Sequence, residues 1–427
     1  MAVDAVRGVN LGGWLLTEQW ITPSVYSGEA NDEWNLCNVL GKRRCLSTLE
    51  SHWSSFITKD DFEEMISFGL NSVRIPIGYW AVDLLDYEPY VSGQYPYLIQ
   101  SVHWAQELGM TVLIDLHGVP GSQNGQDNSG LIGPILFPSN TTNTERTLNV
   151  LRNLTEEFSR AEYGGVVTSI ELLNEPRLGQ ADFEMDDLKA FYTVGSEAVR
   201  TADQGMGVMI HDAFWGPRYW AGYDPASSSS SSSMGSASPS YLEIDTHQYY
   251  AFAPLINLPH ATILESVCNV SRMLKSTDRT RVPATIVGEW SLQTGRGPDD
   301  PVSNRGQPDQ ARRTWFRLLF ESQLAAYSPS AEGQANLGWY YWTWKTEWEI
   351  DTWSYRRGVR DGYIPSDVSN ASTLAYPILD NGCVDSTFNY TAPKKAGSAV
   401  GKAGGMRSVR QVVGIGLLTI ILGFVAL

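Results

Sequence analysis

The runs ELLNEP at residues 171–176 and IVGEW at 286–290 each carry a glutamate, Glu175 and Glu289, just past a short apolar stretch that reads as a buried strand. Continuous apolar runs of this kind belong to strands covered on both faces, as in a parallel sheet. Outward from these two, similar runs recur at 6–10, 72–77, 111–117, 168–174, 206–213, 243–249, 284–289 and 338–344, eight in all. Between them, 59–68, 147–160, 185–201, 260–274 and 310–327 show the spacing of surface helices, with Asp60 and Asp61 in a first turn, where carboxylates favour the helix dipole. Eight strands alternating with helices predict a single α/β domain over 1–395, a (β/α)8 TIM barrel with long loops on its catalytic face.

In that frame Glu175 follows strand 4 and Glu289 ends strand 7, so both acids face one cleft. Two carboxylates over one cleft are the minimum equipment for cutting a glycosidic bond. The segment 22–56 after strand 1 is an insertion expected to wall the cleft, and the Ser-rich insertion 226–239 is assigned no chemistry.

With 427 residues and 42% hydrophobic composition the chain can bury one large core. Its 15 Trp, 20 Tyr and 13 Phe serve that core and can also stack on sugar faces. A formal charge of -16 excludes nucleic acid and anionic membrane surfaces as partners and suits a neutral substrate. The four cysteines show no C-x-x-C spacing, which argues against zinc or thioredoxin-like chemistry. Asn-x-Ser/Thr sequons at Asn140, Asn153, Asn269, Asn370 and Asn389 point to the secretory route. A polar spacer at 396–411 and an uncharged apolar run at 412–427, behind the small residues Gly397, Ser398 and Ala399, read as a lipid-anchor attachment signal. A single-pass membrane tail and a buried helix are the alternatives. The start, MAVDAVRGVNLGG, has no apolar signal region, so a secreted protein would need a start further upstream.

Seven segments then fall into one pattern: RGVNLGGWL (7–15), SVRIPIGYW (72–80), DLHGVPGSQNGQDNSG (115–130), ELLNEP, HDAFW (211–215), VGEW and YYWTWKTE (340–347). In order and spacing they resemble the fungal exo-β-1,3-glucanases of glycoside hydrolase family 5, over about residues 7–385. The resemblance implies a retaining enzyme releasing glucose from the non-reducing ends of β-1,3-glucan, with Glu175 as acid/base and Glu289 as nucleophile. It places Arg74 against the nucleophile and Asn174 at the sugar 2-hydroxyl. His117, His247 and Tyr249 take sugar-contacting or nucleophile-orienting positions, Asn128 contacts the terminal glucose, and Phe252 gives one half of a leaving-side clamp. Trp344 becomes the platform beneath the sugar, with Trp342 in the core. Many relatives carry an aromatic residue where this chain has Gln126, so the clamp's other half is missing and leaving-side binding should be weaker. Related enzymes of β-1,6- or β-1,4-glucans or glucosylated lipids, and a non-catalytic glucan-binding wall protein, stay open as alternatives.

No metal and no cofactor is expected, since this chemistry needs neither. The cysteines read as two disulfides, Cys37–Cys45 within the insertion and Cys268–Cys383 tying the helix before strand 7 to the C-terminal segment, with free buried thiols as the alternative. The expected partner is a β-glucan, and the expected form a secreted or cell-wall-associated monomer, glycosylated and held at the surface by the tail.

Overall fold

The computed structural model describes residues 5–226, 237–294, 310–379 and 381–393. The heart of the Ser-rich insertion, the spacer 396–411 and the apolar run 412–427 lie outside the described residues.

Eight strands, β1 Val6–Asn10, β2 Ser72–Gly78, β3 Thr111–Gly118, β4 Val167–Glu171, β5 Gly207–His211, β6 Leu242–Tyr250, β7 Thr285–Thr294 and β8 Asn336–Tyr341, close in sequence order into a parallel barrel. The expected (β/α)8 fold is therefore present. Every residue of β2 is buried, as a continuous apolar strand between barrel interior and helical shell requires.

Around the barrel run α1 Glu33–Leu40, α2 Lys42–Phe56, α3 Lys59–Ser67, α4 Tyr95–Leu108, α5 Thr141–Phe158, α6 Met185–Ala202, α7 His260–Leu274, α8 Gln310–Tyr327 and α9 Tyr355–Asp361. Helices α7 and α8 have the expected boundaries. Helix α5 starts six residues before the expected 147, because Asn140 caps it by accepting the Thr142 N–H at 3.0 Å, and its polar first turns carry no apolar period. Between β5 and β6 the described residues hold only a 3-10 turn, Pro217–Trp220, in place of a helix.

The insertion 22–56 is mostly helical rather than an extended loop. Gly41, at φ 71°, joins α1 to α2 in a conformation that an L side chain rarely adopts, and the disulfide Cys37–Cys45 spans this hinge. The insertion is bound to the cleft rim: Glu33 accepts from Trp80 Nε1 at 2.8 Å and from the Thr17 N–H at 2.9 Å, while Trp34 N–H donates to Gly130 O at 3.0 Å. The second expected disulfide, Cys268–Cys383, is also formed, with Cα atoms 5.3 Å apart.

Inside the barrel, Leu113, Met209, Ile286 and Tyr340 make a small apolar layer separate from the main core. Tyr340 OH lies 2.8 Å from Ser72 Oγ within it. Above this floor the interior turns from apolar to charged.

Candidate active site

The charged layer follows from period-2 alternation. Asp115 and His117 on β3, and Asp245, His247 and Tyr249 on β6, sit two residues apart, so their side chains share one face of their strand. Arg74 of β2, fully buried, occupies the centre. Its guanidinium reaches Asp115 Oδ2 at 3.0 Å, Glu171 Oε2 at 2.9 Å, Asp245 Oδ2 at 3.6 Å and Glu289 Oε1 at 3.0 Å. It also donates to Asn10 Oδ1 at 3.0 Å and Asn174 Oδ1 at 2.9 Å. A buried cation is stable only when so surrounded. Burial alone would lower the Arg74 pKa, but the four carboxylates hold it well above its ordinary value. Burial pushes Glu171 well above the usual carboxylate range, against the pull of Arg74. Asp245 goes the other way: burial raises it, but His247 and Arg74 pull it low.

Glu289 lies within β7, with its side chain 6% exposed. Besides Arg74 it accepts a hydrogen bond from Tyr249 OH at 2.7 Å, so two donors favour its ionised form. Burial nevertheless lifts its pKa above the ordinary value, helped by the charge of Glu175 and opposed by His247 and Arg74. The backbone beneath it is closely packed. Gly288 donates its N–H to Asp245 Oδ1 at 2.7 Å, and a Cβ there would lie 2.1 Å from the same carboxylate.

Glu175 stands just beyond β4, at φ 44° and with its side chain 19% exposed. β4 stops at Glu171 rather than running to 174, and this turn aims Glu175 into the cleft. Asn128 Nδ2 donates to its Oε2 at 3.0 Å, and His247 Nδ1 lies 2.6 Å from its Oε1. Burial would raise the Glu175 pKa, but its hydrogen bond to His247 and that ring's charge draw it down to about 2. The His247 ring faces Glu289 Oε2 at 3.4 Å and Asp245 Oδ2 at 3.3 Å, and these acids hold its pKa well above the ordinary value despite burial. One ring nitrogen of His247 thus stands within reach of both glutamates.

Arg74, Asn128, Asn174, His247, Tyr249, Glu175 and Glu289 thus form one hydrogen-bonded network. His117 joins it through Asn174 Nδ2, 3.4 Å from its Nε2, and Phe252 joins at the rim, its ring centroid 5.6 Å from that of Tyr249. Trp344 does not join. It is fully buried, its Nε1 donates to Asp61 Oδ1 at 2.8 Å, and it packs on Phe68 and Tyr355 in the barrel wall. Trp342, expected in the core, is buried at 4% exposure and stacks on His117 with ring centroids 5.5 Å apart and planes 10° apart. β8 ends at Tyr341, so strand alternation no longer governs the side chains that follow it.

Sequence reading missed the buried acids Asp115, Glu171 and Asp245; for Asp115 and Asp245 the period-2 spacing from His117 and His247 was the available signal, and Glu171 has no such neighbour. It also passed over Glu18 and Asp127, which show no such period. Burial raises the pKa of both, that of Glu18 strongly and with help from Asp127, and Glu18 also feels Glu175 and Glu289. Trp20 Nε1 donates to Glu18 Oε2 at 2.9 Å.

Glu175, His211 and His247 place ligand atoms within 4.8 Å of one another, close enough to raise the question of a metal. The donor set does not suit one. His211 Nδ1 accepts the Ala213 N–H at 3.0 Å, which leaves the proton of the neutral ring on Nε2, and burial drops its pKa to about 3. His211 presents an N–H to the cluster, not a lone pair.

Comparison with known proteins agrees with this architecture. Residues 37–347 match the family model described as cellulase (glycosyl hydrolase family 5). A glucan 1,3-beta-glucosidase of Blumeria graminis is 37% identical over 86% of this chain and 88% of its own, and glucan 1,3-beta-glucosidase 1 of Schizosaccharomyces pombe is 35% identical over 87% and 91%. Among solved structures, a rutinosidase from Aspergillus niger superposes with a TM-score of 0.67 at 25% identity, covering 85% of this chain and all of its own.

Proposed function

The chain belongs to glycosyl hydrolase family 5, and on that footing we propose that it is a retaining, exo-acting β-1,3-glucan glucosidase that works through a covalent glycosyl-enzyme on Glu289. The observation carrying this reading is that one atom, His247 Nδ1, reaches both carboxylates, at 2.6 Å and 3.4 Å. The two oxygens therefore lie no more than about 6 Å apart, close to the roughly 5 Å of retaining enzymes and short of the wider gap that admits a water in inverting ones.

Glu289, held anionic by Arg74 and Tyr249, attacks the anomeric carbon as the bond to the leaving oxygen breaks. Glu175 takes up a proton along its short hydrogen bond to His247, delivers it to that oxygen and is left a carboxylate. A water then enters; Glu175 takes its proton as the hydroxyl displaces Glu289 from the sugar. Asn174 is oriented by Arg74 through its Oδ1 and by His117 at Nδ2, which leaves the second N–H of Nδ2 for the sugar 2-hydroxyl. Trp342, stacked on His117, supplies the platform assigned from sequence to Trp344.

The names of the fungal relatives support a role in cell-wall glucan metabolism, and the two disulfides an oxidising compartment. Surface anchoring through 412–427 belongs to the same proposal. Time-resolved analysis of the products of laminarin tests it. Glucose alone, first as the β-anomer, is the expected result; early α-anomer would overturn retention, and early longer oligosaccharides would overturn exo action.

A further inference from the structure

A second cavity, of about 530 Å³, opens between α2 and the loops that leave β1 and β8. Thr48, Ser51 and Ser55 line it from α2, Thr22 and Ser24 from the β1 loop, and Glu347 from the β8 loop. Because β1 and β8 are neighbours and both loops leave their C-terminal ends, the cavity lies on the same end of the barrel as the two catalytic glutamates.

Positions 48, 51, 52 and 55 fall on one side of α2, and three of the four bear hydroxyls; Ser51 and Ser55 are exposed and Thr48 half-buried, so these hydroxyls face outward into the cavity, while His52 is buried in its wall. Ser55 Oγ donates back to Ser51 O at 2.7 Å, leaving its lone pairs for a ligand. Glu347 is fixed at the opening, its Oε2 accepting the Ser24 N–H at 2.8 Å and its own N–H donating to Ile21 O at 2.8 Å. Val25 and the half-buried Phe56 provide apolar contact.

Charge narrows the ligand further. His52, in the wall, is neutral: its Nε2 lies 2.8 Å from Gly13 O, and burial lowers its pKa to about 4. Lys345, which lies over the Phe56 ring, is engaged by Asp61 at 2.7 Å. With those cations neutral or engaged and a carboxylate at the mouth, the cavity does not suit an anion. Several hydroxyls, one carboxylate able to accept from a vicinal diol and a small apolar surface suit a neutral saccharide.

Aromatic rings connect it to the cleft. Tyr249, bonded to Glu289, has its centroid 5.6 Å from that of Trp353, which lies 5.1 Å from Trp20, two residues before Thr22. We propose that this cavity is a second saccharide site, holding a distal glucosyl unit of the same β-glucan chain whose end is cleaved in the cleft. The site rests on the β-glucan reading above. Two attachments on one chain raise the effective concentration of the second and should act on KM for long substrates alone.

The test uses the full chain with Ser51→Trp, which fills the cavity, and Glu347→Gln, which removes its charge. Steady-state kinetics are measured on laminari-oligosaccharides from the disaccharide upward. Turnover of the disaccharide should match wild type in both variants, which also verifies folding. KM for long chains should rise about three- to tenfold at unchanged kcat, with reduced retention on insoluble β-1,3-glucan. A length profile identical to wild type in Ser51→Trp would overturn the second site while leaving the catalytic reading intact. Failure of the wild-type enzyme to turn over or bind any β-1,3-glucan would instead overturn the catalytic reading, and the ligand named here with it.

Discussion

The two glutamates proposed for catalysis occupy unlike surroundings within one cleft. Glu289 belongs to a barrel strand, 6% exposed, with Arg74 and a tyrosine hydroxyl upon it. Glu175 stands on a left-handed turn beyond its strand, 19% exposed, with an amide and an imidazole for partners. The difference suits their tasks. A nucleophile must meet the anomeric carbon at a fixed point, whereas an acid/base must exchange protons with a leaving group and then with water, which needs access and a proton-bearing partner.

Exchanging each acid for its amide separates the two roles most sharply. Glu289→Gln should lower kcat/KM by about 10⁴-fold or more for every substrate, since no glycosyl-enzyme can form. Glu175→Gln should cost about 10²- to 10⁴-fold on laminarin but much less on an aryl glucoside whose leaving group needs no proton. Equal losses on both substrates would erase the distinction.

The two tryptophans flanking Thr343 extend the comparison to the barrel wall. Trp344→Ala should destabilise the fold by roughly 3–5 kcal/mol, read from denaturant midpoints, because it empties a fully buried site. Trp342→Ala also empties a buried site, and what should set it apart is a raised KM. The reverse outcome would restore Trp344 as the sugar platform.

The pH profile comes next. Activity needs Glu289 ionised, so it falls as pH drops through a pKa already raised by burial. Tyr249→Phe removes a donor to the anion, raises that pKa further, and should move the acid limb of kcat/KM to higher pH with about a tenfold loss at the optimum. His247→Gln acts on the other limb. The proton held by its raised pKa would be lost, so the basic limb should shift to lower pH. The smallest effect belongs to Gln126→Phe, which should lower KM for oligosaccharides and increase transfer products about two- to threefold. Unchanged KM and transfer would show that position 126 does not touch the leaving-side sugar.

Much of this was legible because barrel strands are apolar runs of fixed length and their C-terminal ends carry the chemistry. The eight strands follow from that rule, and so does Glu175 just beyond β4; Arg74 and Glu289 lie within β2 and β7 and were singled out by the motifs around them. Periodicity gave out where the chain leaves the strand: at β8 the alternation ends at Tyr341 and says nothing of the indoles at 342 and 344. The helical insertion was hidden because Gly41 breaks its period in the middle. Glu18 and Asp127 were invisible for a related reason. They lie in loops, and their shared burial comes only from the fold's bringing the loops of β1 and β3 together.

Gly288 leads to one more expectation, which concerns evolution in the test tube. With an Asp245 oxygen 2.1 Å from where a Cβ would sit, the position next to the nucleophile has no neutral neighbours in sequence space. A library fully randomised at residue 288 should return glycine among its active clones and nothing else. Pairing that library with randomised 245 would show whether the veto lies in the strand's backbone or in the aspartate alone.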